Sequence, residues 1–278
     1  MKYRFLRYPG GKCKAVTLSY DDGVRDDLKL ARIINKYGLK CTFNFTNTEH
    51  MTKEEVFENI IDHGHEIAVH GAAHRAEGVI RPIEGISDVF LCRKELESRY
   101  DMIIRGMAYP DSGITNILPS TGYPEIKAYL RSLDIAYART LGGDNDLFRL
   151  PEDWHAWMPT AHHTNPAVMD YIERFLDIST DGYSSTRYPR LLYIWGHSYE
   201  FERNNNWELL EEICKRLSGN DEIWYATNME IYNYVQAYNS LSFSADGNMI
   251  YNPTVHTIWF DIDGTLFELR SNETLRIK

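Results

Sequence analysis

The sequence predicts a parallel α/β fold, a closed or nearly closed barrel in preference to an open sheet, followed by a short antiparallel β appendix. Three observations carry this reading. Short β-type runs alternate with amphipathic stretches about seven times, and parallel neighbours need such crossover connections. No Gly-rich phosphate fingerprint follows the first long strand, where a dinucleotide-binding sheet would carry one; the chain there reads Ser19-Tyr20-Asp21-Asp22-Gly23. After about residue 240 the alternation gives way to short runs parted by Asp246-Gly247-Asn248, Asn252-Pro253 and Asp263-Gly264, turns that favour hairpins.

Taken in order, the strands are expected at 15–21, 41–45, 65–70, 105–110, 135–140, 190–197 and 222–227. The helices between them are expected at 25–37, 53–63, 86–100, 124–133, 167–177, 207–217 and 229–239, the last with Ile231, Tyr234 and Val235 on one face. Residues 1–239 then form the barrel, close to the roughly 200 to 250 residues such a domain takes. Residues 240–278 form a small β-strand extension.

Composition narrows the function classes. The 278 residues are 43% hydrophobic and 25% charged, which excludes disorder and fibrous repeats. Against 40 Asp plus Glu stand 30 Lys plus Arg, a net charge of -10 that disfavours nucleic acid, since phosphate binding needs a concentrated basic face. No run approaches the roughly 18 apolar residues of a membrane span. The basic start of the chain lacks the apolar stretch of a secretory signal, so a cytoplasmic protein, or one whose start has been trimmed, is expected. Cys13, Cys41, Cys92 and Cys214 are far apart and read as reduced thiols. Asn44-Phe45-Thr46 matches the glycosylation pattern only by chance on that reading. Nothing in the sequence fixes an oligomeric state.

Three clusters sit at the carboxyl ends of expected strands, the edge where α/β barrels place their active sites. The first is Asp21-Asp22-Gly23; alone it reads as a turn and helix cap. The second is His70-Gly71-Ala72-Ala73-His74, whose spacing on one helical turn would bring two imidazoles to one side, suited to sharing a metal; alone it is a common chance pair. The third is Tyr193-Ile194-Trp195-Gly196-His197, where alternation puts His197 beside aromatic walls; alone, such a histidine is more often structural. Together they supply a carboxylate and two histidines for a metal, and leave a second carboxylate and a third histidine as base and acid.

In these motifs, and in their order, the chain resembles the polysaccharide deacetylases of the NodB-homology type. The resemblance spans about residues 10 to 238. It implies a distorted, incomplete (β/α)7-type barrel that removes acetyl groups from N-acetylated or O-acetylated sugars with a divalent metal. By that resemblance Asp22, His70 and His74 match the metal ligands, Asp21 the catalytic base and His197 the catalytic acid. Zinc is the default for mixed His and carboxylate ligands, with iron, cobalt, nickel or manganese as alternatives. Asp153-Trp154 resembles the fourth motif, whose aromatic residue lines the groove, and Ala108-Tyr109-Pro110 falls where the third belongs. Substrate contacts are thus expected from Tyr109, Pro110, Asp111, Trp154 and Trp195, with a backbone N–H near Asp111 stabilising the oxyanion.

The chain departs from the pattern in places. Ala108 stands where the family places an arginine beside the base. Arg105 points to the opposite face, so Arg139, at the end of the next strand, is expected to orient Asp21 instead. Trp195 replaces an aliphatic residue of the acetyl pocket, and Gly113–Gly122 looks like an inserted loop near the site mouth. His162 and His163 are expected to make hydrogen-bonded structural contacts. Asp261-Ile262-Asp263-Gly264-Thr265 copies a phosphatase signature, but with few residues after it a hairpin turn at Asp263-Gly264 is the better account. The rival to an enzyme is a noncatalytic carbohydrate-binding or scaffolding protein on the same fold, suggested by Ala108, Trp195 and 13% aromatic residues.

Overall fold

The structure is a computed structural model that describes residues 3–115, 121–142, 145–181 and 187–277. Its centre is β2 (Lys14–Asp22), whose residues are buried up to Asp21, as expected of a strand covered on both faces. Around it stand β3 (Cys41–Phe45), β4 (Glu66–Val69), β5 (Gly106–Ala108), β6 (Tyr137–Arg139), β7 (Ala161–His162), β8 (Arg190–His197) and β9 (Ile223–Tyr225). They hydrogen-bond in the order β6-β5-β4-β3-β2-β8-β7, all parallel. β8 pairs β2 from Lys14–Arg190 to Asp21–His197. β9 pairs only Lys14–Val16, and β3 takes over from Leu18. Between β6 and β7 the wall is completed by Trp157, whose N–H donates to the Ala138 carbonyl and whose own carbonyl accepts from Thr140 N–H. This is an incomplete (β/α) barrel.

The helices outside the barrel are α1 (Asp27–Lys36), α2 (Lys53–Asn59), α3 (Pro82–Tyr100), α4 (Tyr123–Ser132), α5 (Val168–Leu176), α6 (Ser198–Arg203), α7 (Trp207–Leu217) and α8 (Asn228–Asn239). α3 begins four residues before the expected start because Pro82, which lacks an N–H, suits the first helical position. α8 closes the amino-terminal end of the barrel. Its first N–H groups donate to Thr42 Oγ1 at 3.0 Å and Glu66 Oε2 at 2.8 Å, and Asn228 Nδ2 donates to the Tyr193 hydroxyl at 2.5 Å. Glu66 also accepts from Thr42 Oγ1 and the Tyr137 hydroxyl; burial nevertheless pushes its pKa up to about 7.

The C-terminal residues build two three-stranded antiparallel sheets. One joins β10 (Ser242–Phe243), β11 (Met249–Tyr251) and β14 (Thr274–Arg276). The other joins β12 (Ile258–Ile262) and β13 (Thr265–Leu269) to β1 (Arg4–Arg7), so the first strand of the chain adds to the β12–β13 hairpin. The β12–β13 turn places Asp263 at φ 49° and Gly264 at φ 91°, the two left-handed positions a tight hairpin requires. Leu6, Ile258, Phe260 and Leu269 belong to one buried cluster with Ile231, Tyr234 and Val235 of α8. Tyr234 donates to the Arg7 carbonyl and accepts from Trp259 N–H, which ties the sheet to the barrel's last helix. Among the described residues, no helix is long and apolar enough to cross a membrane. Of the expected loop at 113–122, residues 116–120 lie outside the described residues.

Candidate active site at the strand ends

Strand register assembles the site. Asp21 sits opposite Asn44 on β3 and His197 on β8, and Ala108 sits opposite Arg139, so these positions share the layer at the carboxyl ends of the strands. Asp21 and Asp22 are consecutive, and in a regular strand they would face opposite sides. Asp22 instead adopts a left-handed conformation, φ 82°, which brings its carboxylate round to the side of Asp21. A non-glycine residue held there costs about 1–3 kcal/mol, a strain the surrounding structure must sustain.

The two histidines of the second cluster do lie side by side, but not on a helical turn as expected. Residues 70–74 form a loop with Gly71 at φ 77° and His74 at φ 51°. Asp88, on α3, holds that loop: its Oδ1 accepts from Ala73 N–H at 2.7 Å and its carbonyl accepts from Ala72 N–H. A Cβ at Gly71 would collide with the Asp88 carboxylate, so the loop needs glycine there twice over. His70 Nδ1 is 2.9 Å from the Ala108 carbonyl, which can only accept, so Nδ1 carries the proton and Nε2 presents a lone pair. That Nε2 is 3.5 Å from Asp22 Oδ1, and His74 Nε2 is 3.3 Å from the same oxygen.

Electrostatics follow from this crowding. Burial opposes ionisation of Asp22, but the His74 hydrogen bond and the surrounding histidines outweigh it and hold the carboxyl below its ordinary range. His70 is pulled down by burial, against the attraction of both aspartates, and so favours the neutral ring. His74 is raised by its bond to Asp22.

Asp21 is buried and held from two sides. Arg139 Nη2 donates to its Oδ2, and Asn44 Nδ2 donates to its Oδ1 at 2.8 Å. The Nε2 atoms of His70 and His197 each lie 4.0 Å from Oδ2. The Arg139 guanidinium also stacks 4.2 Å over the ring of Trp195, which lines the wall between Arg139 and His197. Arg105 pairs with Asp134 on the outside, as its odd offset requires.

Other expected contacts fall elsewhere. Tyr109 is fully buried and donates its hydroxyl to the His155 carbonyl, so its side chain does not reach the site. Trp154 packs edge-on against Trp157 and against Tyr232 of α8, the helix that closes the opposite end of the barrel; it is not a groove wall here. Its neighbour Asp153 accepts from Tyr123 and Lys127. Pro110 is buried at the turn after β5, whereas Asp111 lies exposed at the rim, its Oδ2 3.7 Å from His74 Nδ1. Sequence reasoning missed Asn44, Asp88 and Glu200. An asparagine in a fully buried strand signals a required partner, and a glutamate three residues after the strand-ending His197 is the third position of a helix start.

Acidic and imidazole groups thus converge at the strand ends of the barrel, the face where this class of α/β protein carries its active sites. The polysaccharide deacetylase family model matches residues 8–151, and the chain belongs to that family. No curated protein matches the chain. Among solved structures, a Mycobacterium smegmatis protein assigned as a polysaccharide deacetylase is 17% identical, covering 84% of this chain and 94% of its own with a TM-score of 0.58, which shows a shared fold. A family 4 acetyl xylan esterase from Clostridium thermocellum, solved with a cobalt ion, is 15% identical over 79% of this chain and 91% of its own, TM-score 0.47. A CE4 family pseudoenzyme from Bacillus anthracis is 13% identical over 83% and 68%, TM-score 0.48.

Proposed function

We propose that the protein hydrolyses acetyl groups from an N-acetylated, or O-acetylated, sugar or polysaccharide with the help of a divalent metal ion. The observation that carries this reading is the placement of Asp21 and His197 beside the Asp22, His70 and His74 group. The donor set fits an ion. Three ligand atoms lie within 4.8 Å of one another, His70 is fixed with its lone pair inward, and the two separations from Asp22 Oδ1 are close to the roughly 3.3 Å edge of a tetrahedron with 2.0 Å bonds. Zinc suits two imidazoles and a carboxylate, and iron, cobalt, nickel or manganese suit them too. Once bound, such an ion supplies Lewis acidity, polarising a carbonyl and lowering the pKa of water.

The chain's own groups do the proton work. Asp21, held by Arg139 and Asn44, accepts the proton of the attacking water. His197 donates from Nε2 to the departing nitrogen or oxygen. Asp111 stands at the rim, where its backbone N–H is the candidate oxyanion donor. The noncatalytic alternative drew on Ala108, and the Arg139 contact with Asp21 removes that support.

Acetate release from acetylated glucosamine oligomers, with and without a chelator, tests the reading. Release that stops on chelation, returns with divalent metal and is lost in Asp21→Asn supports it. No release with any metal, from wild type and Asp21→Asn alike, would leave a carbohydrate-binding protein.

A further inference from the structure

Glu200 occupies a position that the proposed chemistry has not yet used. It lies on α6, which starts directly after β8, and its Oε2 is surrounded by histidine nitrogens: His162 Nε2 at 3.2 Å, His197 Nδ1 at 3.3 Å and His163 Nε2 at 3.5 Å. The same oxygen accepts from the backbone N–H of His197 at 3.3 Å, the reach-back of a glutamate at the third position of a helix. All of these residues lie beyond the 8–151 match to the family.

Such a cluster has the composition of a second cation site, but the hydrogen bonds argue otherwise. The backbone N–H of Thr164, which can only donate, points at His162 Nδ1 at 3.2 Å, and the Thr164 hydroxyl, which can donate as well as accept, lies 2.7 Å from the same nitrogen; both contacts are met when that nitrogen offers its lone pair. The ring's proton then sits on Nε2, aimed at Glu200, where a metal would need a lone pair. His163 is held between the rings of Phe201 at 4.1 Å and Tyr20 at 5.6 Å, and burial pushes its pKa down to about 3, so it stays neutral. The carboxylate is left to serve His162 and His197.

We infer that Glu200, anchored by His162, is the positioning residue for His197: it holds the proton of that ring on Nδ1 and so turns Nε2 toward Asp21 as the atom that exchanges protons with substrate. The arrangement is a chain from Thr164 N–H through His162 and Glu200 to His197. The groups facing His197 are Asp21 and Asp22 from β2, His162 and His163 from the β7 segment, and Glu200 and Tyr199 from α6; Arg203 reaches the other Glu200 oxygen at 3.4 Å. Among the described residues, Glu200 meets Nδ1 and Asp21 approaches Nε2.

The inference rests on the deacetylase reading for its kinetics but not for its geometry, so two readouts separate them. Long-range proton–nitrogen spectra of the 15N-labelled protein, recorded at a pH above the ring's titration where it is neutral and with His197 assigned by His197→Gln, report the tautomer without any turnover. The expected result is an Nδ1–H ring in wild type and a shift toward Nε2–H in Glu200→Ala. Glu200→Gln keeps an acceptor but removes the charge. It is expected to retain the Nδ1–H form, lower kcat by about tenfold or more with little change in KM, and move the alkaline limb of activity to lower pH. An Nε2–H ring in wild type, or a tautomer and limb indifferent to both substitutions, overturns the inference. The expected tautomers in a protein that releases no acetate would uphold the pairing and defeat the deacetylase reading instead.

Discussion

Arg139 donates its guanidinium to Asp21 from β6, the strand next to the one on which the family carries its arginine. The register explains how. Ala108 is the direct neighbour of Arg139 across the β5–β6 pair, so an arginine from either strand end would project into the same layer, and only one of the two positions needs to hold it. The small side chain at 108 is the complement of the large one at 139, which is fully buried.

Arg139→Ala is expected to lower kcat by about 10²-fold and to destabilise the fold by roughly 3 kcal/mol or more, because a buried carboxylate loses its charged partner. Ala108→Arg in that background should recover part of both. Steady-state kinetics with thermal unfolding on the three proteins checks this. Turnover in Arg139→Ala equal to wild type would remove Arg139 from the site's function.

The pH profile carries the signature of His197. Burial opposes its charge, but Glu200, Asp21 and Asp22 outweigh burial and hold the ring's pKa above its ordinary value. The protonated ring is the acid, so activity is expected to persist below that raised pKa and to decline as pH rises through it. Rates measured between about pH 6 and 10 with metal in excess show the limb, and His197→Ala should abolish it along with most of the turnover. A flat alkaline side in wild type contradicts the assignment.

The elements with strong periodicity were legible in the sequence. β3, β8 and α7 coincide with the expected 41–45, 190–197 and 207–217, because each is a run long enough to show its period between clear breaks. β1, β7 and α6 escaped: they are 4, 2 and 6 residues long, and each is fixed by tertiary partners rather than by its own pattern. The site divides the same way. Asp21, Asp22 and His197 stand out because they end strands, and His70 and His74 because they follow one closely, whereas Asn44 is visible only through the register of β3 against β2. Trp154 misled because a motif gives order along the chain and not the direction of a side chain. The loop after β4 brought its histidines together through Asp88, fourteen residues beyond His74, a distance at which local spacing says nothing.

The phosphatase-like signature near the C-terminus makes a separable prediction. Asp261 is buried, pairs with Arg7 at 3.9 Å and accepts from Gly264 N–H at 2.9 Å, so it holds the β12–β13 turn against β1. Asp261→Asn keeps an acceptor but removes the charge facing Arg7. It is expected to cost about 1–3 kcal/mol of stability and to leave acetate release unchanged. Phosphate-ester hydrolysis by wild type that vanishes in Asp261→Asn would show that the hairpin reading is wrong.

Gly196, between Trp195 and His197, tests how tightly the acid is seated. Its requirement is spatial: a Cβ there would collide with the His163 imidazole. That ring has little freedom to retreat, being 1% exposed and stacked on Phe201. Gly196→Ala should therefore cost about 1–3 kcal/mol, the usual price of overpacking. Because His163 also abuts Glu200, the strain should reach His197 and lower kcat while KM changes little. Removing the obstacle should remove most of the penalty, so Gly196→Ala combined with His163→Ala is expected to lie nearer to His163→Ala alone than to the sum of the two. Thermal melts and acetate release across this four-member cycle supply the measurement. Simple additivity would mean that the methyl group and the imidazole do not compete for the same space.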